Sequence, residues 1–163
     1  GDLYQWGRFA DGHEVRTSVA ISTLSNNDTP GHEDFIRISS NPFDWRSPQN
    51  DNLWQGINGT NNPCPSGYRL PTEAEWEAER ATWDSNNPAG AFASPLKLPV
   101  AGRRNFSIGS INDVGINGHY WSSTIDGATS KGLYFGIGTT ISSRARITND
   151  LRASGRSVRC IKD

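Results

Sequence analysis

The chain has only two cysteines, and they sit in two short phrases, Cys64-Pro-Ser-Gly-Tyr-Arg-Leu-Pro71 and Ser157-Val-Arg-Cys-Ile-Lys162. If the sulfurs are bonded, the C-terminal strand is pinned beside the entrance of a helix, and the residues between form one closed loop. Closing a loop of about ninety residues removes roughly 4–5 kcal/mol of unfolded-state entropy in the simple chain picture. The alternative is a pair of buried free thiols, since unpaired cysteine is among the most buried residue types. A two-cysteine chain of this composition looks extracellular, which favours the bond.

A chain of 163 residues is expected to form one domain, residues 1–163, with a proper core. Only 34% of residues are apolar, so that core must be compact, and the six tryptophans are expected to supply much of it. A formal charge of −1 gives no electrostatic case for nucleic acid or an anionic membrane. No apolar run approaches a membrane span, and no signal peptide is visible. With no methionine, the sequence reads as a mature product or an excised domain. Any membrane association is then expected through a missing anchor or display module.

Glycine, asparagine, serine and proline punctuate the chain at short intervals, a pattern of short strands and long ordered loops. One helix is strongly signalled over Thr72 to Trp83, where Thr72 and Glu75 form a Thr-x-x-Glu capping box and Asn86, Asn87 and Pro88 supply a stop. A weaker helical signal covers Asp51 to Gln55. Strands are expected at Leu3–Trp6, Thr17–Ser22, Phe35–Ile38, Leu96–Val100, His119–Thr124, Gly132–Thr140 and Ser157–Ile161. In Gly132-Leu-Tyr-Phe-Gly-Ile-Gly138, alternation puts Leu133, Phe135 and Ile137 on one face and Tyr134 with glycines on the other. The second face is expected to carry little packing duty, a first pointer to a binding surface. The fold class is α+β, with small antiparallel sheets, one or two helices and extensive irregular loops.

Several chemistries lack the residue pattern they need. Glu73, Glu75, Glu77 and Glu79 alternate in a way that splits neighbours between helix faces, so a solvated helix start outranks a glycosidase pair. His13, His32 and His119 lack zinc spacing, and neither a nucleophile elbow nor a phosphate loop is present. Asn26-Asn27-Asp28 and Asn50-Asp51-Asn52 are oxygen-rich turns in which a structural calcium ion is conceivable, although turn formation alone explains them; no other cofactor is expected. Asn27, Asn58 and Asn105 fit glycosylation sequons. Arg144, Arg146, Arg152, Arg156 and Arg159 make the C-terminal quarter locally basic. They read equally well as a solvated face or as a surface recognising carboxylates or sulfates by bidentate contacts.

The spaced motifs resemble one known family along nearly the whole chain. Tyr4-Gln-Trp-Gly-Arg8 with Asp11-Gly-His13, Asp44-Trp-Arg46, Asn52-Leu-Trp-Gln55 and Pro63-Cys-Pro-Ser-Gly-Tyr-Arg-Leu-Pro-Thr-Glu-Ala-Glu-Trp-Glu77 resemble the Fibrobacter succinogenes major paralogous domain. Leu96-Lys-Leu-Pro99, Ala101-Gly-Arg103, Gly118-His-Tyr-Trp-Ser-Ser-Thr124 and Ser157-Val-Arg-Cys160 continue it in the same order. The resemblance implies a C-type lectin-like fold in the branch related to formylglycine-generating enzymes, and a place at a cell or virion surface or outside the cell. It also implies no enzymatic activity, because both cysteines fall at framework positions and leave no reactive thiol.

Members of this group also serve as variable proteins of diversity-generating retroelements, where adenine-directed mutagenesis rewrites codons near the C-terminus. Rewriting the adenines of AAC or AAT codons cannot produce Glu, Gln, Lys, Met or Trp. Between Ser122 and Cys160 the chain has no Glu, Gln, Met or Trp, and its only lysine is Lys131. The resemblance thus implies a variable region over residues 119–156. Its candidate ligand-binding residues are His119, Ile125, Asp126, Ala128, Ser130, Tyr134, Gly136, Gly138, Thr139, Thr140, Ser142, Ser143, Arg144, Arg146, Thr148, Asp150, Arg152 and Ser154. The expected partner is a protein or glycan on another cell or virus surface. The competing expectation is a fixed surface lectin or adhesin, with Trp121 and Tyr134 as stacking aromatics for a sugar.

Overall fold

A computed structural model describes residues 1–163, an α+β arrangement of small sheets and two helices. Helix α1 (Glu73–Ala81) starts where its capping box predicts. The Thr72 hydroxyl accepts the Glu75 amide at 3.3 Å, and the Glu75 carboxylate accepts the Thr72 amide at 2.7 Å. Arg69 donates to both Glu75 oxygens at 2.8 Å and also reaches Asp163 at 2.8 Å. One guanidinium therefore joins the strand before the helix, the helix start and the last residue.

α1 ends earlier than expected, at the Thr82 C-cap, and the Asn86-Asn87-Pro88 run expected to stop it instead begins a second helix, α2 (Pro88–Ala93). Asn87 caps it by accepting from the amides of Ala89 and Gly90, and Pro88 fills the first turn, where no N–H is needed. The weak helical signal at Asp51–Gln55 yields turns instead.

Most strands are two residues long: β1 (Tyr4–Gln5), β2 (Ala20–Ile21), β3 (Phe35–Ile36), β4 (Tyr68–Arg69), β5 (Arg103–Arg104) and β6 (Ile111–Asn112). The longer ones are β7 (Asn117–Asp126), β8 (Thr129–Gly136) and β9 (Arg146–Leu151), followed by β10 (Gly155–Arg156) and β11 (Ile161–Lys162). β7, β8 and β9 form an antiparallel meander, and a four-stranded sheet runs β1-β10-β5-β6. β4 pairs with β11, and β2 pairs with β3 in parallel. The Leu96–Val100 segment forms no strand; Leu98 is buried without ladder partners, and the Tyr120 hydroxyl caps the Pro99 carbonyl at 2.8 Å.

Two apolar clusters divide the core. One gathers Trp6, Ile36, Trp45, Leu53, Trp54, Leu70 and Trp121 beneath the N-terminal half. The other packs Trp76 of α1 and Ala91 of α2 against Tyr120, Leu133 and Phe135 of the meander. Indole N–H groups tie segments that are remote in sequence: Trp6 donates to Ser122 O at 2.9 Å, Trp45 to Trp6 O at 2.7 Å, Trp76 to Trp121 O at 3.0 Å, and Trp121 to Tyr4 O at 2.7 Å.

Cys64 and Cys160 form a disulfide, with S–S 2.03 Å and Cα atoms 5.8 Å apart. It closes a sequence separation of 96 residues and locks β11 beside β4. The Cys64→Ser, Cys160→Ser double variant should lose about 4–5 kcal/mol of stability, read from the urea midpoint at constant m-value. An unchanged midpoint would mean that the Arg69 clamp holds the C-terminus unaided.

Candidate binding surface

The meander has two unlike faces, because side chains alternate along each strand. One face carries Tyr120, Leu133 and Phe135 into the core, with Tyr120 and Phe135 stacked at 5.8 Å. The other carries His119 from β7, Ser130, Gly132 and Tyr134 from β8, and Arg146, Thr148 and Asp150 from β9. Sequence patterning predicts this second face to be a lightly packed surface. Most of it is instead a covered polar layer.

At the buried end, Arg156 donates to Asp150 at 2.6 Å and lies 5.0 Å from the Trp121 ring centre. Thr148 donates to the second Asp150 oxygen at 2.7 Å. Glycine at 132 makes room for this carboxylate: a Cβ there would sit 2.8 Å from Asp150 Oδ2 and 2.9 Å from Tyr120 O. A guanidinium can only donate, so His119 Nδ1, 3.1 Å from Arg156, is the acceptor and Nε2 carries the proton. Burial, helped by Arg156, Arg103 and Arg146, pushes the His119 pKa down to about 2.

At the open end, the His119 ring meets Tyr134 edge-to-face at 5.2 Å, and the Arg146 guanidinium lies 4.2 Å from the Tyr134 ring centre. The Tyr134 hydroxyl reaches Asn117 at 3.3 Å. Beyond Gly136 the chain leaves the sheet through a 3₁₀ turn at Ile141–Ser143 and returns as β9. Arg146 donates to the carbonyls of Ser142 and Arg144, and neither Arg144 nor Arg146 meets a carboxylate. The sequence explains this: no acidic residue lies between Asp126 and Asp150, and Asp126 already holds Lys131 at 2.9 Å.

The candidate residues therefore divide. Ile125, Asp126, Ala128, Gly138, Thr139, Thr140, Ser142, Arg144 and Arg146 are exposed, and Tyr134, Ser143 and Thr148 are half-buried. His119, Ser130, Gly136, Asp150, Arg152 and Ser154 are buried, a correction to their expected place on an open surface. Arg152 is 0% exposed; its guanidinium stacks 4.6 Å from the Trp6 ring centre and donates to Asp51 at 2.7 Å. Ile137, expected to point into the core, is 56% exposed, because the sheet ends at Gly136 and the period-two alternation ends with it. Its amide donates instead to Ile116 O at 3.0 Å, which brings the Val114–Ile116 turn beside the loop. Sequence reading misses that neighbour, whose only signal is an apolar pair in a glycine-rich turn.

Another missed cluster lies under the N-terminal loop, where Asp11, His13 and Glu14 converge within 4.8 Å. Both His13 nitrogens are engaged there: Nδ1 lies 2.7 Å from Asp11, and Nε2 accepts the Gln5 amide at 3.0 Å. The Asp11-Gly-His13 phrase is thus a loop lock, and burial pushes the His13 pKa down to about 4. In the oxygen-rich turns the carboxylates meet side chains of the chain itself. Asp28 binds Arg46 at 2.7 Å and Asn50 at 2.9 Å, while Asp51 binds Arg152.

Comparison with family models, curated proteins and solved structures finds no match. The disulfide fits an oxidising compartment such as the cell exterior, and no helix is long and apolar enough to cross a membrane.

Asp150→Ala should cost about 3–5 kcal/mol, because it strands the buried Arg156 charge. Arg144→Ala and Arg146→Ala should each stay within roughly 1 kcal/mol, typical of exposed sites. Chemical denaturation of the three variants separates layer from loop. Protons add a second check. His13 is held neutral below its unfolded pKa of about 6.5, so the unfolded chain binds the extra proton. Its contribution is complete above pH ~6.5 and is lost as pH falls toward about 4. Melting temperature should drop over that window, and His13→Gln, which keeps an acceptor for the Gln5 amide, should flatten the slope.

Proposed function

We propose that the protein is a non-enzymatic ligand-binding domain whose recognition surface is the β8–β9 loop; the exposed tip of the β7–β8 hairpin lies at the opposite end of the meander. The reading joins this surface to the resemblance to the Fibrobacter succinogenes major paralogous domain, with its C-type lectin-like fold and its use as a diversified protein of retroelements. The observation that carries it is the division within residues 119–156. None of Ile125, Ala128, Thr139, Thr140, Ser142, Arg144 or Arg146 enters either core cluster, while Leu133, Phe135 and Ala145, interspersed among them, do. Side chains on one stretch of chain can then change without loss of packing, as loops on a rigid scaffold allow. Placement of both cysteines in the disulfide supports a binding role over thiol chemistry of the formylglycine-generating kind.

The surface suits a protein ligand better than a sugar. Trp121 is fully buried, and the Tyr134 ring is occupied by Arg146 and His119, so neither aromatic offers a free stacking platform. The loop presents instead two unpaired arginines beside Ile137 and Ile141, the latter 79% exposed. Aliphatic side chains at this exposure, next to uncompensated positive charge, match an acidic protein surface with apolar groups at its centre.

Randomising Thr139, Thr140, Ser142, Arg144 and Arg146 in a displayed library tests the reading. Most members should fold, keep the parental melting temperature within a few degrees, and yield selectable binders to unrelated proteins. Randomising Ser130, Asp150, Arg152 and Ser154 should leave few folded members. Unfolding in the first library would overturn the proposal. In the gene, a near-copy of the 3′ quarter differing only at adenines would mark natural diversification, and differences at other bases would exclude it.

A further inference from the structure

A cavity of about 400 Å³ lies between α1 and the C-terminal segment, within the volume range of small-ligand sites. Its walls are Trp76, Ala78, Leu96, Ile161 and the Cys160 half of the disulfide. All of its lining residues precede Lys97 or follow Val158, so it shares none with the loop surface and does not depend on the function proposed above. The walls are held in place before any ligand arrives. The disulfide, the β4–β11 pair and the Arg69 clamp to Glu75 and Asp163 fix one side, and the capped helix fixes the other.

The polar groups at the rim are few and unequal. Glu75 is neutralised: both its oxygens receive Arg69, and one also receives Thr72. Glu79 is only half satisfied, with Oε1 accepting the Trp83 indole N–H at 3.0 Å and the other oxygen unpaired. Arg159 is exposed, and it enters no hydrogen bond or ion pair of the chain. The lining of this apolar chamber thus includes one arginine without a partner, which also lines the adjoining cleft beside Tyr4 and Tyr120, and one carboxylate with spare acceptor capacity. A plain carboxylate ligand would satisfy Arg159 but face Glu79, and a plain amine would do the reverse. A molecule carrying both groups on an apolar body satisfies the rim and fills the chamber.

We infer that this cavity binds a free α-amino acid with a large apolar side chain. The side chain lies against Ala78, Leu96 and Ile161, the carboxylate takes a charge-assisted bond from Arg159, and the ammonium meets Glu79. The site is constant whatever the loop residues are, so it is a fixed small-molecule site remote from the β8–β9 loop.

Amide and side-chain NMR titrations with three matched probes test this: L-phenylalanine, 3-phenylpropionate, which lacks the ammonium, and phenethylamine, which lacks the carboxylate. Phenylalanine should shift the Trp76 and Ile161 resonances, and each truncated probe should bind about tenfold more weakly or worse. Arg159→Gln should reduce phenylalanine to the affinity of phenethylamine while leaving phenethylamine unchanged. Glu79→Gln should reduce it to the affinity of 3-phenylpropionate. Ala78→Phe, at an exposed helix position, should fill the chamber and abolish all three without lowering the melting temperature. No shift with any probe at millimolar concentration overturns the inference. So do equal affinities for the three probes, or binding that survives Ala78→Phe.

Discussion

The fold rests on indole rings that are buried for their area and anchored by their N–H groups. A tryptophan inside a core must find a partner for its single donor, or lose the hydrogen bond it made to water. Here four of the five fully buried indoles give that donor to main-chain carbonyls of other segments. The Trp6 and Trp121 bonds cross between the start of the chain and β7, spanning sequence separations of 116 and 117 residues. Strands of two residues cannot hold a sheet together by ladder bonds alone. The indole bonds and the packing around them do that work, and they allow so much irregular backbone to stay ordered.

Buried arginines complete the same scheme. Arg152 stacks on Trp6, Arg156 on Trp121 and Arg104 on Phe35, each with its flat cation against an aromatic ring. Their charge is met by Asp51 and Asp150 for the first two, and by the carbonyls of Gly109 and Ser18 for the third. Gln5 plays a neutral version of this part. Its amide donates to Ile36 O and Ala153 O, and its carbonyl accepts from the Ile36 N–H, so one side chain substitutes for a strand between β3 and the C-terminal region. Ordered polar groups of this kind leave the outer loop free of structural duty.

The loop and the layer beneath it belong to one stretch of chain, which is why they are hard to separate in one dimension. The capping box, the helix it starts, the tryptophan-rich core, strands β7 and β8 and the inward placement of Leu133 and Phe135 are legible, because each depends on neighbours within a few residues; β9 (Arg146–Leu151), rich in charged and polar residues, carries no such signal. The second helix carried a readable cap in Asn87 and Pro88, although those residues read first as a terminator. Arg144 and Arg152 look alike in sequence, yet one is in solvent and the other against Trp6. The end of the alternation at Gly136 was equally invisible, so Ile137 was assigned to the core.

Local chemistry along the chain determined the α+β class, the position of α1, the aromatic character of the core and the absence of acidic residues between Asp126 and Asp150. Tertiary structure alone decided which arginines lost their water, which main-chain carbonyls received which indoles, and that a chamber opens beside the disulfide. The reason is physical. Helix caps and strand alternation act over a handful of residues, whereas burial of a charge depends on a ring and a carboxylate delivered from opposite ends of the chain.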